Sequence, residues 1–153
     1  MERLERIVVQ LVEARRLADF ADVAHGRLAL LLLDNAAETL LSRLADHALL
    51  WADINTNALE AIERFGAPID AKGEALMEEL RTKVVSDRDR RSIRKNFSDL
   101  VRFVFAQDGF VLGLDLAACL NALHRYRNAA YHQDSVRPDV LGPANEIYFY
   151  LCC

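Results

Sequence analysis

From Arg27 to Phe65 the chain contains neither glycine nor proline. Over that length Leu30, Leu33, Ala37, Leu40, Leu41, Leu44, Ala48 and Trp51 recur at intervals of three and four, which places them on one stripe of an α-helix. Nothing that frees or blocks the backbone appears until Gly66 and Pro68, so the pattern predicts one long helix. A bend is expected around Ile54-Asn55-Thr56-Asn57, where β-branched and amide side chains lower helix propensity. An apolar stripe must be covered, so the rest of the chain has to supply the elements that cover it.

The rest carries the same period. Leu4, Ile7, Val8, Leu11, Ala14 and Ala18 predict a first helix over residues 2–22. Asp70 can cap a third, which Leu76, Leu80, Val84 or Val85, Ile93, Phe97, Leu100, Val101, Val104 and Phe105 carry to Gln107-Asp108-Gly109. Its middle, Ser86 to Ser92, has no apolar residue and reads as a turn. Asp115 opens a fourth helix through Leu116, Leu120, Leu123, Tyr126 and Ala130, ending near His132. After a loop holding Pro138, Gly142 and Pro143, a short fifth helix closes the chain. Strand alternation, repeats and low-complexity segments are absent from the sequence. The expected fold is all-α: an up-and-down bundle of four long helices plus a short C-terminal helix, over residues 1–153 as one domain.

Composition agrees with a packed helical protein: 52% hydrophobic and 27% charged residues, with six Gly and three Pro. The start, Met1-Glu2-Arg3-Leu4-Glu5-Arg6, lacks the basic-then-apolar layout of a signal peptide, and the run from Leu28 to Leu33 is too short to cross a bilayer. A cytoplasmic protein with no membrane partner is expected. Cys119, Cys152 and Cys153 fit neither a disulfide framework nor zinc spacing, so Cys119 is expected in the core and the terminal pair to be incidental. The last eight residues, Glu146 to Cys153, are apolar for a chain end. Two readings stay open: a domain excised from a longer chain, or a final helix docked on the core.

One segment concentrates chemistry. Arg125-Tyr126-Arg127-Asn128-Ala129-Ala130-Tyr131-His132 places two guanidiniums, a carboxamide and an imidazole within about two helical turns. Guanidinium binds oxyanions and stays charged, while imidazole exchanges protons near neutral pH, so the segment suits phosphodiester chemistry. Arg followed by His at this spacing is by itself weak, because about one match is expected by chance. On an ideal helix, Tyr126 and Ala130 lie with Leu123 toward the core, Arg127 sits on the rim, and Asn128, His132 and Arg125 face outward. Asn128 and His132 are also an i, i+4 pair, so the amide can orient the imidazole. A solvated helix face is the alternative. His124 either joins this cluster or is an idle surface His, and Tyr131 is a further supporting candidate. His25 and His47 show no metal-type pairing. Asp34 and Glu38 form an acidic pair beside the long stripe, either as surface carboxylates or with Asp34 reaching Arg127.

Charge is segregated elsewhere. From Arg81 to Arg102 the net charge is +5, whereas the remainder of a chain of net charge −4 sums to −9. Arg88, Arg90, Arg91, Arg94 and Lys95, with Arg125, are the candidate phosphate-binding residues. A solvated, salt-bridged helix face is the alternative reading of this stretch, and the cluster from Arg88 to Lys95 has no interleaved aromatic, which argues against base stacking there.

A helical chain of this size in which Arg127, Asn128 and His132 close the penultimate helix resembles the HEPN superfamily, the higher-eukaryote and prokaryote nucleotide-binding domains. The Leu31–Glu38 stretch adds to the resemblance. Many members are metal-independent endoribonucleases of phage-defence and toxin–antitoxin systems. The resemblance implies that Arg127 binds the scissile phosphate, His132 transfers protons and Asn128 orients one of them. It also implies a homodimer through the helix-four face, RNA as substrate, no metal or cofactor, and room for an antitoxin or regulatory partner. Asp134 stands where toxin members that pair with a nucleotidyltransferase carry Tyr. Two other readings remain: a non-catalytic module for dimerisation or protein interaction, and a nucleotide sensor in which Arg125 and Arg127 hold a phosphate.

Overall fold

A computed structural model describes residues 2–20, 22–65, 70–107, 113–132 and 136–153. Gly66, Pro68, Asp108, Gly109 and Asp134 lie outside the described residues. Among those described there is no strand, and the helices are α1 (Glu2–Ala18), α2 (Val23–Phe65), α3 (Ala71–Thr82), α4 (Asp87–Lys95), α5 (Phe97–Phe105), α6 (Gly113–His132) and α7 (Pro138–Cys152). The chain is all-α, with seven helical segments rather than the five expected.

The 43-residue α2 is helical without interruption through Ile54–Asn57, and it touches each of the other six helices. Its buried stripe runs Gly26, Ala29, Leu30, Leu33, Asp34, Ala37, Leu41, Ala45, Leu49 and Ala52. Leu44 and Trp51, expected in that stripe, are exposed. From Ala37 the stripe advances by four, four, four and three residues and uses alanine at alternate positions, because small side chains let neighbouring helices come close.

The predicted third helix is three helices. Asp70 caps α3 as expected, accepting from Gly73 N–H at 2.9 Å. The apolar-free stretch read as a turn is instead most of α4, capped by Ser86, whose hydroxyl accepts from Asp89 N–H. Asp87 and Asp89 at its start and Arg94 and Lys95 at its end suit the helix dipole, and Ile93 alone needs burial. The backbone then turns extended at Asn96 and restarts as α5, whose Leu100, Val101 and Val104 are buried.

α1 ends four residues early. Asp22, placed in that helix by the sequence, instead serves the start of α2, accepting from His25 N–H at 2.9 Å, and its carboxyl is held below the usual range by the hydrogen bonds from His25.

α7 is longer than expected. Pro138 takes the first helical position, and the helix continues through Gly142 and Pro143, which the sequence suggested were loop. It lies against α2 and α1. A Cβ at Gly26 would lie 2.8 Å from Leu141 Cδ2, so glycine permits the approach, and Asn145 Nδ2 donates to Gly26 O at 3.0 Å. Of the terminal cysteines, Cys152 is no bystander. It is half-buried against the core, and burial pushes its thiol up to about 12. Cys119 also packs against the core cluster. Among the described residues no helix is long and apolar enough to cross a membrane.

The observed register gives opposite expectations for two large residues of α2. Leu33→Ala, at a fully buried position, should lower unfolding free energy by about 2–5 kcal/mol. Trp51→Ala, at a site 55% exposed, should cost under about 1 kcal/mol. Urea unfolding measures both, and a larger loss at Trp51 than at Leu33 would contradict this register.

Candidate functional site

A carboxylate lies inside the apolar stripe of α2. Asp34 stands four residues after Leu30 and three before Ala37, so the helix turns it toward the same neighbours, and its side chain is fully buried. Burying an unmatched charge is costly, so the position demands partners. Two other helices supply them. Tyr148 of α7 donates its hydroxyl to Asp34 Oδ1 at 2.5 Å, and His124 of α6 brings Nδ1 to 2.9 Å from the same oxygen. A carboxylate accepts and does not donate, so His124 Nδ1 carries a proton.

Arg127, less than a turn further along α6, places Nε 3.0 Å from Asp34 Oδ2. This contact is an ion pair without a hydrogen bond: the distance is short, but the N–H points off the line, and both atoms are buried with no hydrogen-bond partner. The guanidinium is also held at Nη1, which donates to Asn128 Oδ1 at 2.7 Å. Phe97 of α5 stacks on the His124 ring, with centroids 4.0 Å apart and planes 6° from parallel. Burial first, and then the charge of Asp34, push the Tyr148 hydroxyl far above the ordinary phenol range, so it persists as a donor.

Asp34 was read from sequence mainly as a surface carboxylate, and the structure corrects this. Of the acidic pair, Asp34 is buried and meets Arg127, while Glu38 is exposed. His124 is likewise not idle, since its imidazole is four-fifths buried between Asp34 and Phe97. Asn128 was placed on the outward face to orient His132. It is half-buried and turned to Arg127, and no hydrogen bond joins it to His132 among the described residues. Arg125, Tyr131 and His132 are exposed, and the Tyr131 and His132 rings meet edge-on at 5.4 Å.

Tyr148, Phe97 and Arg27 were missed by sequence reasoning. Arg27 Nη2 donates to Ala130 O at 2.5 Å, one of the last four carbonyls of α6, where a cation also suits the helix dipole. The space between Arg27, Leu31, Arg127 and Tyr131 amounts to about 10 Å³, less than a water needs. Arg127 is thus closely packed on this side, while Arg125 and His132 of the same helix are exposed.

The basic stretch also divides. Arg88, Arg91, Arg94 and Lys95 are exposed and carry no ion pair among the described residues. Arg90, expected with them as a phosphate ligand, is withdrawn from the patch. It pairs with Asp53 at 2.6 Å, donates to Val85 O at 3.1 Å, and so ties α4 to α2. Among the described residues no group of three or more His, Cys, Asp or Glu could hold a metal ion.

Removing one partner from the buried pair leaves the other uncompensated. Asp34→Ala should cost about 3–5 kcal/mol of stability. Tyr148→Phe, which removes one hydrogen bond to a charged acceptor, should cost about 1.5–3 kcal/mol. Urea midpoints test the order, and an Asp34→Ala protein as stable as the parent would show that the pair holds nothing together. No family model, curated protein or solved structure matches this chain, so its functional reading rests on this geometry.

Proposed function

We propose that the chain is a metal-independent endoribonuclease of HEPN type, in a defence or toxin–antitoxin setting, that cleaves RNA at a site shared between two copies. The observation that carries the reading is the mounting of Arg127. A buried carboxylate and Asn128 fix its guanidinium at the end of α6, and the exposed His132 follows on the same helix. A catalytic arginine needs this pre-orientation, because a fixed cation offsets charge on the phosphorane without reorganising.

RNA brings its own nucleophile. One His132 would take the proton of the 2′-hydroxyl as its oxygen attacks phosphorus, and a second His132 would protonate the departing 5′-oxygen. One imidazole cannot do both in the same step, so two α6 faces related by a two-fold axis complete the site. Arg125, exposed beside them, adds phosphate affinity. The fold assigned to this activity is the HEPN-like helical domain, with a homodimer through α6 and an antitoxin or regulatory protein as further partner.

A non-catalytic interaction module is the competing reading. It is favoured by the engagement of Arg127 with Asp34, which gives the arginine a structural reason to be present without any chemistry.

The purified protein should cleave RNA in EDTA and leave 2′,3′-cyclic phosphate ends. His132→Ala, at an exposed position, should reduce the rate by about 100-fold or more with an unchanged unfolding midpoint. Cleavage that needs a divalent metal, or that survives His132→Ala, sinks the nuclease reading, and absence of any cleavage favours the module.

A further inference from the structure

Two grooves flank the turn between α3 and α4, with Val84, Val85, Phe103 and Ala106 forming part of both walls. The first, about 630 Å³, opens along His47, Trp51 and Asn55 of α2 and reaches Lys83 and Gln107. The second, about 750 Å³, continues over Ser86, Arg88 and Ser92 to Arg102. The two grooves adjoin at this shared wall, the first holding an aromatic and the second guanidiniums, and the pair is termed the channel.

The chemistry of the two ends differs. Trp51 is the single tryptophan of the chain and stands 55% exposed in a concave wall, with the His47 ring edge-on at 6.3 Å. Among the described residues no carboxylate lines this groove. Asn55 offers an amide, and Gln107, whose nitrogen donates to Phe103 O, keeps its carbonyl oxygen as an acceptor. In the second groove Asp99 accepts from Ser92, Asn96 and Arg102, which hold its carboxyl below the usual range and occupy its oxygens. Arg102 is 80% exposed, and Arg88 has no ion pair among the described residues. Arg91, Arg94 and Lys95 extend positive charge along the outside of α4.

We propose that a single-stranded RNA segment lies along this channel, with one base stacked on Trp51 and the phosphates that follow it on Arg88 and Arg102. An exposed indole presents a π-face that any base can use, and arginines in the adjoining groove match a backbone of phosphates. An acidic peptide would satisfy the arginines and leave Trp51 without a planar partner. An amphipathic helix would need an apolar trough, and His47, Asn55, Lys83 and Gln107 interrupt it. The inference rests on the reading of RNA as substrate, but it concerns a different place. Trp51 lies about 25 Å along α2 from Asp34, so the channel holds a remote part of the strand and not the scissile phosphate.

The test uses the His132→Ala protein, which keeps RNA intact, and reads Trp51 fluorescence during titration with a short oligouridylate. Saturable quenching that weakens steeply with added salt is expected. By anisotropy of a labelled oligouridylate, Trp51→Ala should bind about 5- to 150-fold more weakly while remaining folded, with no more than the small stability loss expected at an exposed site. The double change Arg88→Ala and Arg102→Ala should flatten the logarithmic salt slope by about 1.4. Absence of quenching, unchanged affinity in Trp51→Ala, or equal quenching by uridine monophosphate alone overturns the strand-binding channel. Cleavage by the wild-type protein is scored separately: cleavage without quenching removes the channel alone, and quenching without cleavage removes the nuclease alone.

Discussion

A single carboxylate sets the arrangement of three helices in this protein. Asp34 is buried on α2, and the oxygens it presents are met by His124 and Arg127 from α6 and by Tyr148 from α7. Such an ion is poor as a source of net stability, because desolvation offsets most of what its partners return. Its effect is on geometry. An apolar residue in its place would accept several rotations of α6, whereas a charged acceptor allows those that bring both an imidazole and a guanidinium to it. Phe97 then closes the remaining side of His124, so α5 is registered by the same group. The candidate site at the end of α6 inherits its geometry from this register.

The helical class was legible because the long stripe of α2 is unbroken and carries one period. Its details were not, for reasons that can be located. Leu44 and Trp51 outrank Ala45 and Ala52 in hydrophobicity, but burial follows where neighbouring helices come close, and there the alanines fit. The break at Asn96 has neither glycine nor proline to announce it. Pro143 looked like a loop residue, yet it stands as the sixth residue of α7, where its missing N–H leaves the Asp139 carbonyl without its helical donor.

The site was half visible. Arg127 was placed on the rim of α6 from helical geometry, and the structure puts it there against Asp34. Asp34 carried a readable signal, since it lies within the stripe of Leu30, Leu33 and Ala37 and not beside it. Treating a carboxylate as surface by default hid that. His124 was assigned outward because the geometry considered one core face, whereas α6 is flanked by α2, α5 and α7, and its buried arc is correspondingly wide. Trp51, which lines a groove with Lys83 and Val84, could not be related to that turn by looking within the basic stretch, because it stands about thirty positions earlier in the chain.

His124 follows Asp34 by 90 residues, and Tyr148 follows it by 114. On a ribosome elongating at roughly 5–20 residues per second, Tyr148 is made roughly 6–23 s after Asp34. Throughout that interval the leucines of α2 wait for α6 and α7, and an ionised, hydrated side chain stands among them. It makes that face a poorer nucleus for indiscriminate collapse or aggregation in the nascent chain. The residue that is most expensive to bury when the fold is complete is thus a solubilising group while the fold is still being made, and the docking of α6 and α7 converts one role into the other.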